Sequence, residues 1–152
     1  MSIHPSFTVQ PAEWTRDKAV LQAIRREVFV VEQCVPEAEE WDAMDAVCRH
    51  LLAYAPDGLP IGTGRLLPDG RAGRMAVLQP WRGQGAGSAI LMALLAMARQ
   101  SGFDEVLLHA QTHALGFYGK HGFAVCGDEF MEAGIPHFAM RLQLNLRGGS
   151  GA

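Results

Sequence analysis

Gln79-Pro80-Trp81-Arg82-Gly83-Gln84-Gly85-Ala86-Gly87-Ser88 is the stretch on which the reading of this chain turns. Before it, Gly73-Arg74-Met75-Ala76-Val77-Leu78 reads as a strand; after it, Ala89–Arg99 reads as a helix. Gly83, Gly85 and Gly87 stand at alternate positions and mark the turn between the two. The first N–H groups of a helix have no intrahelical partner, and the helix dipole adds partial positive charge there. Small residues let an anion approach closely, and Arg82 contributes a permanent cation suited to phosphate. The stretch predicts a phosphate or pyrophosphate cradle, weighed against the plainer reading that the glycines only shape a tight connection.

Two nucleotide loops can be set aside. A Walker loop needs Gly-Lys-Ser/Thr, and no lysine lies between Lys18 and Lys120. A dinucleotide fingerprint needs Gly-x-Gly-x-x-Gly, but the sixth position is Ser88 counted from Gly83 and Ile90 counted from Gly85. What remains, Arg82-Gly83-Gln84-Gly85-Ala86-Gly87, resembles the Arg/Gln-x-x-Gly-x-Gly/Ala acyl-CoA loop of the GNAT superfamily of N-acyltransferases. Ala114-Leu115-Gly116-Phe117-Tyr118-Gly119-Lys120-His121-Gly122-Phe123 resembles that family's A-x-x-F-Y-x-x-x-G-F segment. The ordered pair, one helix and one strand apart, extends the resemblance over roughly residues 50–145. Val28-Phe29-Val30-Val31-Glu32-Gln33 and Glu132-Ala133-Gly134-Ile135-Pro136-His137 look like the V-F-x-x-E-Q and E-x-G-I-P-H segments of the ElaA/YjcF-like branch, which Arg25 and the series Asp42, Asp45, His50 also fit.

Composition narrows the class. The chain has 152 residues, 49% of them hydrophobic and 19% charged, as expected of one globular domain over residues 1–146. Its net charge of −3 argues against a general nucleic-acid binder. Cys34, Cys48 and Cys126 form no Cys-x-x-Cys and read as three buried, inert thiols in a reducing cytoplasm. Met1–Pro5 lacks the pattern of a signal peptide, and Ala89–Ala98 is too short to span a bilayer. The tail at residues 147–152, polar and glycine-rich, is expected to be disordered.

Local patterns give an order of elements. Phe7–Val9 reads as a strand, and Val20, Leu21, Ile24, Val28 and Val31 predict an amphipathic helix to about residue 31. The acidic run Glu37, Glu39, Glu40, Asp42, Asp45 reads as a loop with a short helix, either solvated or able to attract a cationic amine. His50–Ala55, Pro60–Leu67 and Arg71–Leu78 read as an antiparallel meander, Glu105–Ala110 as a strand, and Gln111 or Thr112 to Lys120 as a helix. Phe123–Glu129 and His137–Leu144 read as a final antiparallel pair. The βαβ crossover through the glycine loop should pair Arg71–Leu78 with Glu105–Ala110 in parallel. The expected class is α/β (α+β), a mixed, mostly antiparallel sheet with helices on both faces; the family likeness implies that its two parallel strands splay apart around a pantetheine arm.

The resemblance implies N-acetyl transfer from acetyl-CoA directly to a primary amine, with no covalent enzyme intermediate and no metal. Tyr118 falls on the family's tyrosine and would protonate the leaving thiolate, a role suited to a phenol, which is protonated at neutral pH. The backbone of Met75, Ala76 and Val77 is the expected pantetheine edge. Arg82 and the loop residues Gly83, Gln84, Gly85, Ala86, Gly87 and Ser88 are the expected pyrophosphate contacts. Gln111 takes a slot where the family often has Asn. The general base is Glu32 or His137, with Asp45, His50 and His109 as further candidates. The acceptor is a small amine or a peptide, with no role for nucleic acid or membrane, and the chain is a monomer or homodimer. A CoA-binding sensor without catalysis is the alternative.

Overall fold

Runs of apolar residues broken at Pro56–Gly58 and Pro68–Gly70 fold the middle of the chain into a meander, as their turn chemistry dictates. A computed structural model describes residues 6–144; the tail expected to be disordered lies outside them. In chain order the elements are β1 (Thr8–Ala12), α1 (Trp14–Arg25), a π-helical segment (Arg26–Glu32), α2 (Glu37–Glu40) and a 3-10 turn (Ala43–Ala46). Then follow β2 (Arg49–Tyr54), β3 (Pro60–Leu66), β4 (Ala72–Val77), α3 (Ala86–Gln100) and β5 (Glu105–Gln111). A 3-10 turn (Thr112–Ala114) leads into α4 (Leu115–Lys120), and β6 (Ala124–Val125), β7 (Phe130–Glu132) and β8 (Ile135–Gln143) complete the order.

The strands β1-β2-β3-β4 form one antiparallel sheet, and β5-β8-β6 a second, with β7 also paired to β8. The first sheet is buried on both faces. Leu51 and Ala53 pack on the α3 side with Ile90, Leu91, Leu94 and Leu95. Leu52, between them in sequence, points the other way, to Leu21, Ile24 and Val28. This period-two alternation is what a strand covered on both faces requires. Leu21, Leu91 and Leu94 are fully buried, and each contributes about 1.5–3 kcal/mol. Helix α3 lies close on β3 because Gly62 and Gly64 leave room: a Cβ on Gly62 would fall 2.7 Å from Ile90 Cδ1 and 3.1 Å from Ala76 O.

The expected parallel pairing of β4 with β5 is reduced to one bridge, Arg71 to Leu107. The cause is local. Between the pairs Thr63–Ala76 and Arg65–Gly73 the register slips, so β4 carries one residue more than β3. Arg74 in that bulge has φ 49°, a left-handed conformation unusual for arginine. The Thr63 hydroxyl donates to Arg74 O at 3.1 Å and pins it. Beyond Arg71 the two strands diverge, and a cleft of about 680 Å³ opens between them.

Other expectations shift in detail. The first helix changes to π geometry after Arg25, with Gln33 N–H bonded to Val28 O at 3.1 Å, and Cys34 closes it at φ 61°. The strand expected over Phe123–Glu129 is only Ala124–Val125, because Gly127 at φ 98° breaks the extension; β7 then begins at Phe130. The three cysteines are free, but they are not buried: Cys34 is exposed, Cys48 and Cys126 partly so. Partial burial pushes the Cys48 thiol up, which keeps it protonated. Among the described residues no helix is long and apolar enough to cross a membrane.

Candidate active site

The glycine loop forms the mouth of the cleft. Gly83 (φ 76°) and Gly85 (φ 96°) adopt left-handed geometry, and Gly85 is the residue at which α3 begins. A side chain at either would point into open space. The first backbone bond of this turn runs from Ala89 N–H to Gly85 O, so the N–H groups of Ala86, Gly87 and Ser88 precede the helical ladder. The loop has the room and the free donors that a pyrophosphate requires. Arg82 is less free than its sequence position suggests: its Nε donates to Val77 O at 2.8 Å and its two terminal nitrogens to Glu32 at 2.5 and 2.7 Å. Ser88 shares a 3.1 Å hydrogen bond with His121 Nε2, a neighbour not anticipated from the motif.

Met75, Ala76 and Val77 lie on β4 where it has parted from β5. The phenol of Tyr118, at the middle of α4, reaches across and donates to Met75 Sδ at 3.7 Å. Burial pushes the Tyr118 phenol up to about 12, so it stays protonated and able to donate.

The second wall comes from β5, β7 and β8. Gln111 stands directly opposite His137 in the β5–β8 register, and Phe130 opposite His137 in the β7–β8 register. His137 is 7% exposed and stacks on Phe130. Its Nδ1 lies 2.7 Å from Ile135 O, which can only accept; the proton therefore sits on Nδ1, and Nε2 carries the lone pair. His109 Nδ1 donates to Glu132 at 2.8 Å, which fixes the same tautomer there. The Gln111 amide donates to Gln33 Oε1 at 2.8 Å and accepts from His113 at 2.7 Å. Sequence reading left Gln33 without a role and did not pair His109, a base candidate, with Glu132; the signals available were the place of Gln33 and Glu132 inside the two recurring segments.

Glu32 lines the cleft but is bound to Arg82, whose hydrogen bonds hold its carboxyl below the usual range. It is ionised and weakly basic. Of the further base candidates, His109 lines the cleft, whereas Asp45 and His50 do not and are buried in an ionic network. The Arg25 guanidinium, 1% exposed, donates to Glu40 at 2.8 Å and to Asp45 at 2.7 and 3.2 Å, between the rings of Trp14 and Trp41. Arg65 bridges Asp42 at 2.9 Å and Asp45 at 2.8 Å, and His50 Nε2 donates to Asp45 O at 2.8 Å. The acidic run therefore divides: Glu37, Glu39 and Asp42 are exposed, whereas Glu40 and Asp45 are fully buried and paired with arginine, so those two offer no open anionic surface. Among the described residues no cluster of His, Cys, Asp and Glu could hold a metal.

Known proteins share this fold. Residues 12–144 match the family model described as an acetyltransferase (GNAT) domain. The chain is 43% identical over 122 residues to the uncharacterised N-acetyltransferase YjcF of Bacillus subtilis, covering 77% of this chain and 86% of that one. An acyl-CoA N-acyltransferase from Pseudomonas aeruginosa superposes with a TM-score of 0.79 at 33% identity, covering 90% of this chain and 99% of the other. Escherichia coli ElaA superposes with a TM-score of 0.80 at 27% identity, covering 91% of this chain and 100% of the other.

Proposed function

This chain belongs to the GNAT acetyltransferase family and is an acyl-CoA N-acyltransferase of the ElaA/YjcF-like branch, and we propose that it moves an acetyl group from acetyl-CoA directly to a primary amine of a small molecule or peptide in the cytoplasm. The observation that carries the site assignment is the Tyr118 phenol poised over Met75, on the free edge of β4 and beside the glycine cradle.

The cradle residues Gly83–Ser88 hold the pyrophosphate, and the Met75–Val77 edge offers backbone groups to the pantetheine amides. Fixing the two reactants in one cleft supplies much of the rate. His137 takes a proton from the amine through Nε2, directly or through one water, and the amine nitrogen bonds to the acyl carbon. As the carbon–sulfur bond breaks, Tyr118 gives its proton to the sulfur. The products are the N-acyl amine and the free thiol. His137 is favoured over Glu32 because its lone pair is uncommitted, whereas the Glu32 carboxylate is bonded to Arg82.

The test is thiol release from acetyl-CoA and longer acyl-CoAs across a panel of small amines and amino-terminal peptides. Acetylation of at least one primary amine, with loss of turnover in Tyr118→Phe, is expected. Tight CoA binding by calorimetry with no thiol release on any acceptor would mark a silent CoA-binding module instead.

A further inference from the structure

Glu32 and Arg82 are 50 residues apart in sequence and meet across the mouth of the cleft in a two-pronged pair. Glu32 ends the π-helical segment, and Arg82 opens the glycine cradle. The third arm of Arg82, Nε to Val77 O, reaches the end of the β4 edge. One guanidinium therefore joins three parts: the first helix, the pantetheine edge and the glycine loop. The following residue, Gly83, has left-handed geometry, and nothing crowds it. A loop of such freedom binds an anion well only when something else holds it in place.

We propose that Glu32 is a positioning residue for acyl-CoA, acting through Arg82, and is not the group that takes the amine's proton. This rests on the acyl-transfer reading above. Both side chains are about one-third exposed (34% and 37%), so the pair adds little to global stability. Its geometry is nevertheless the fork-to-fork arrangement that gives direction as well as attraction. Three of the five guanidinium N–H groups are committed, and the pair sets where the remaining two point. The same bond keeps Glu32 ionised and poorly basic, which suits an orienting role.

The experiment is a double-mutant cycle with Glu32→Gln, Arg82→Gln and the double variant, read by CoA calorimetry and by steady-state kinetics against pH. Glu32→Gln should weaken CoA binding and raise the KM for acetyl-CoA by about tenfold, the size of one charge-assisted hydrogen bond. The pH profile of kcat should keep its shape. In the Arg82→Gln background the same substitution should cost nothing further, because its route of action is already gone. Unchanged CoA affinity in Glu32→Gln, a full loss that persists without Arg82, or disappearance of the acid limb of the kcat profile would each overturn the assignment. A wild-type protein that binds no CoA would instead overturn the acyl-transfer reading, and this one with it. A wild type that binds CoA no better than Glu32→Gln overturns this one alone.

Discussion

The phenol of Tyr118 lies 3.7 Å from the sulfur of Met75, so the one titratable oxygen of α4 hangs over the edge of β4. Nothing else about this tyrosine requires a hydroxyl, since Phe117 and Phe123 pack its ring edge to face. Tyr118→Phe should therefore fold normally and bind CoA as the wild type does, with kcat about a hundredfold lower. With the phenol pushed up to about 12, the wild-type profile should show no loss from tyrosine ionisation below about pH 10. Steady-state kinetics from pH 6 to about pH 10 check both; a wild-type kcat in the phenylalanine variant removes Tyr118 from the proton-donor role.

His137 presents Nε2 because Ile135 O captures Nδ1. Removing the imidazole while keeping bulk and polarity separates base catalysis from packing. His137→Gln should lower kcat/KM for the amine by about a hundredfold. CoA binding by calorimetry should stay at the wild-type level, and the loss should shrink for acceptors that are already neutral at the assay pH. A wild-type kcat/KM in this variant would move the role to another wall residue, and the His109–Glu132 pair is the first to test.

Gly85 starts α3 at φ 96°, where an L side chain is strained even though its Cβ would meet nothing. Alanine there costs about 1–2 kcal/mol of backbone strain, or the loop shifts to relieve it. Gly85→Ala should weaken CoA binding about tenfold or more by calorimetry, with a thermal midpoint only a few degrees lower. Gly87 has ordinary geometry, and its added Cβ would only touch Phe117 at 3.5 Å. Gly87→Ala should melt like the wild type, so any loss of CoA affinity in it reports contact with the ligand.

Those features could be read from the sequence because each is local. Three alternating glycines between a strand and a helix allow few geometries, and Phe117-Tyr118 lies a fixed distance from the turn at Gly122. The meander and its turns were legible for the same reason. What escaped was long-range. Glu40 and Asp45 look like solvent-facing charges until Arg25, fifteen and twenty residues earlier, is seen between them. Arg82 reads as a free phosphate ligand until Glu32 is placed against it. The gap between β4 and β5 depends on a bulge at Arg74, a residue type that gives no hint of left-handed backbone. The tautomer of His137 depends on Ile135 O, a backbone acceptor two residues earlier on β8 that no side-chain pattern marks.

The buried ionic network should make the fold depend on Arg25. Replacing it with methionine keeps the volume between Trp14 and Trp41 but removes the cation shared by Glu40 and Asp45, each 1% exposed, leaving Glu40 only Arg74 at 3.4 Å and Asp45 only Arg65 at 2.8 Å. Breaking a buried pair on one side costs about 3–5 kcal/mol. Urea unfolding at neutral pH should show that loss, and adding Glu40→Gln to Arg25→Met should recover part of it. A cost under about 1 kcal/mol would mean that water reaches the carboxylates.

Acid should unfold the protein in two stages, and the signs follow from the network. Burial pushes His50 down, so its contribution is present above about pH 6.5 and is lost as pH falls through its lower folded value. Hydrogen bonds from Arg65 hold Asp42 well below the carboxylate range; its contribution is present above about pH 4 and is lost progressively below it. Glu40 has the opposite sign, because burial pushes its carboxyl up despite Arg74 and Arg25. It opposes folding as pH rises above about 4.3 and softens the second stage. Urea midpoints measured from pH 8 to pH 3 should therefore fall first on the acid side of pH 6.5 and again near pH 4. Asp42→Asn should flatten the second fall and leave the first in place. His50→Gln should do the reverse, and a wild-type midpoint that stays level across the whole range would show that the network does not couple folding to protons.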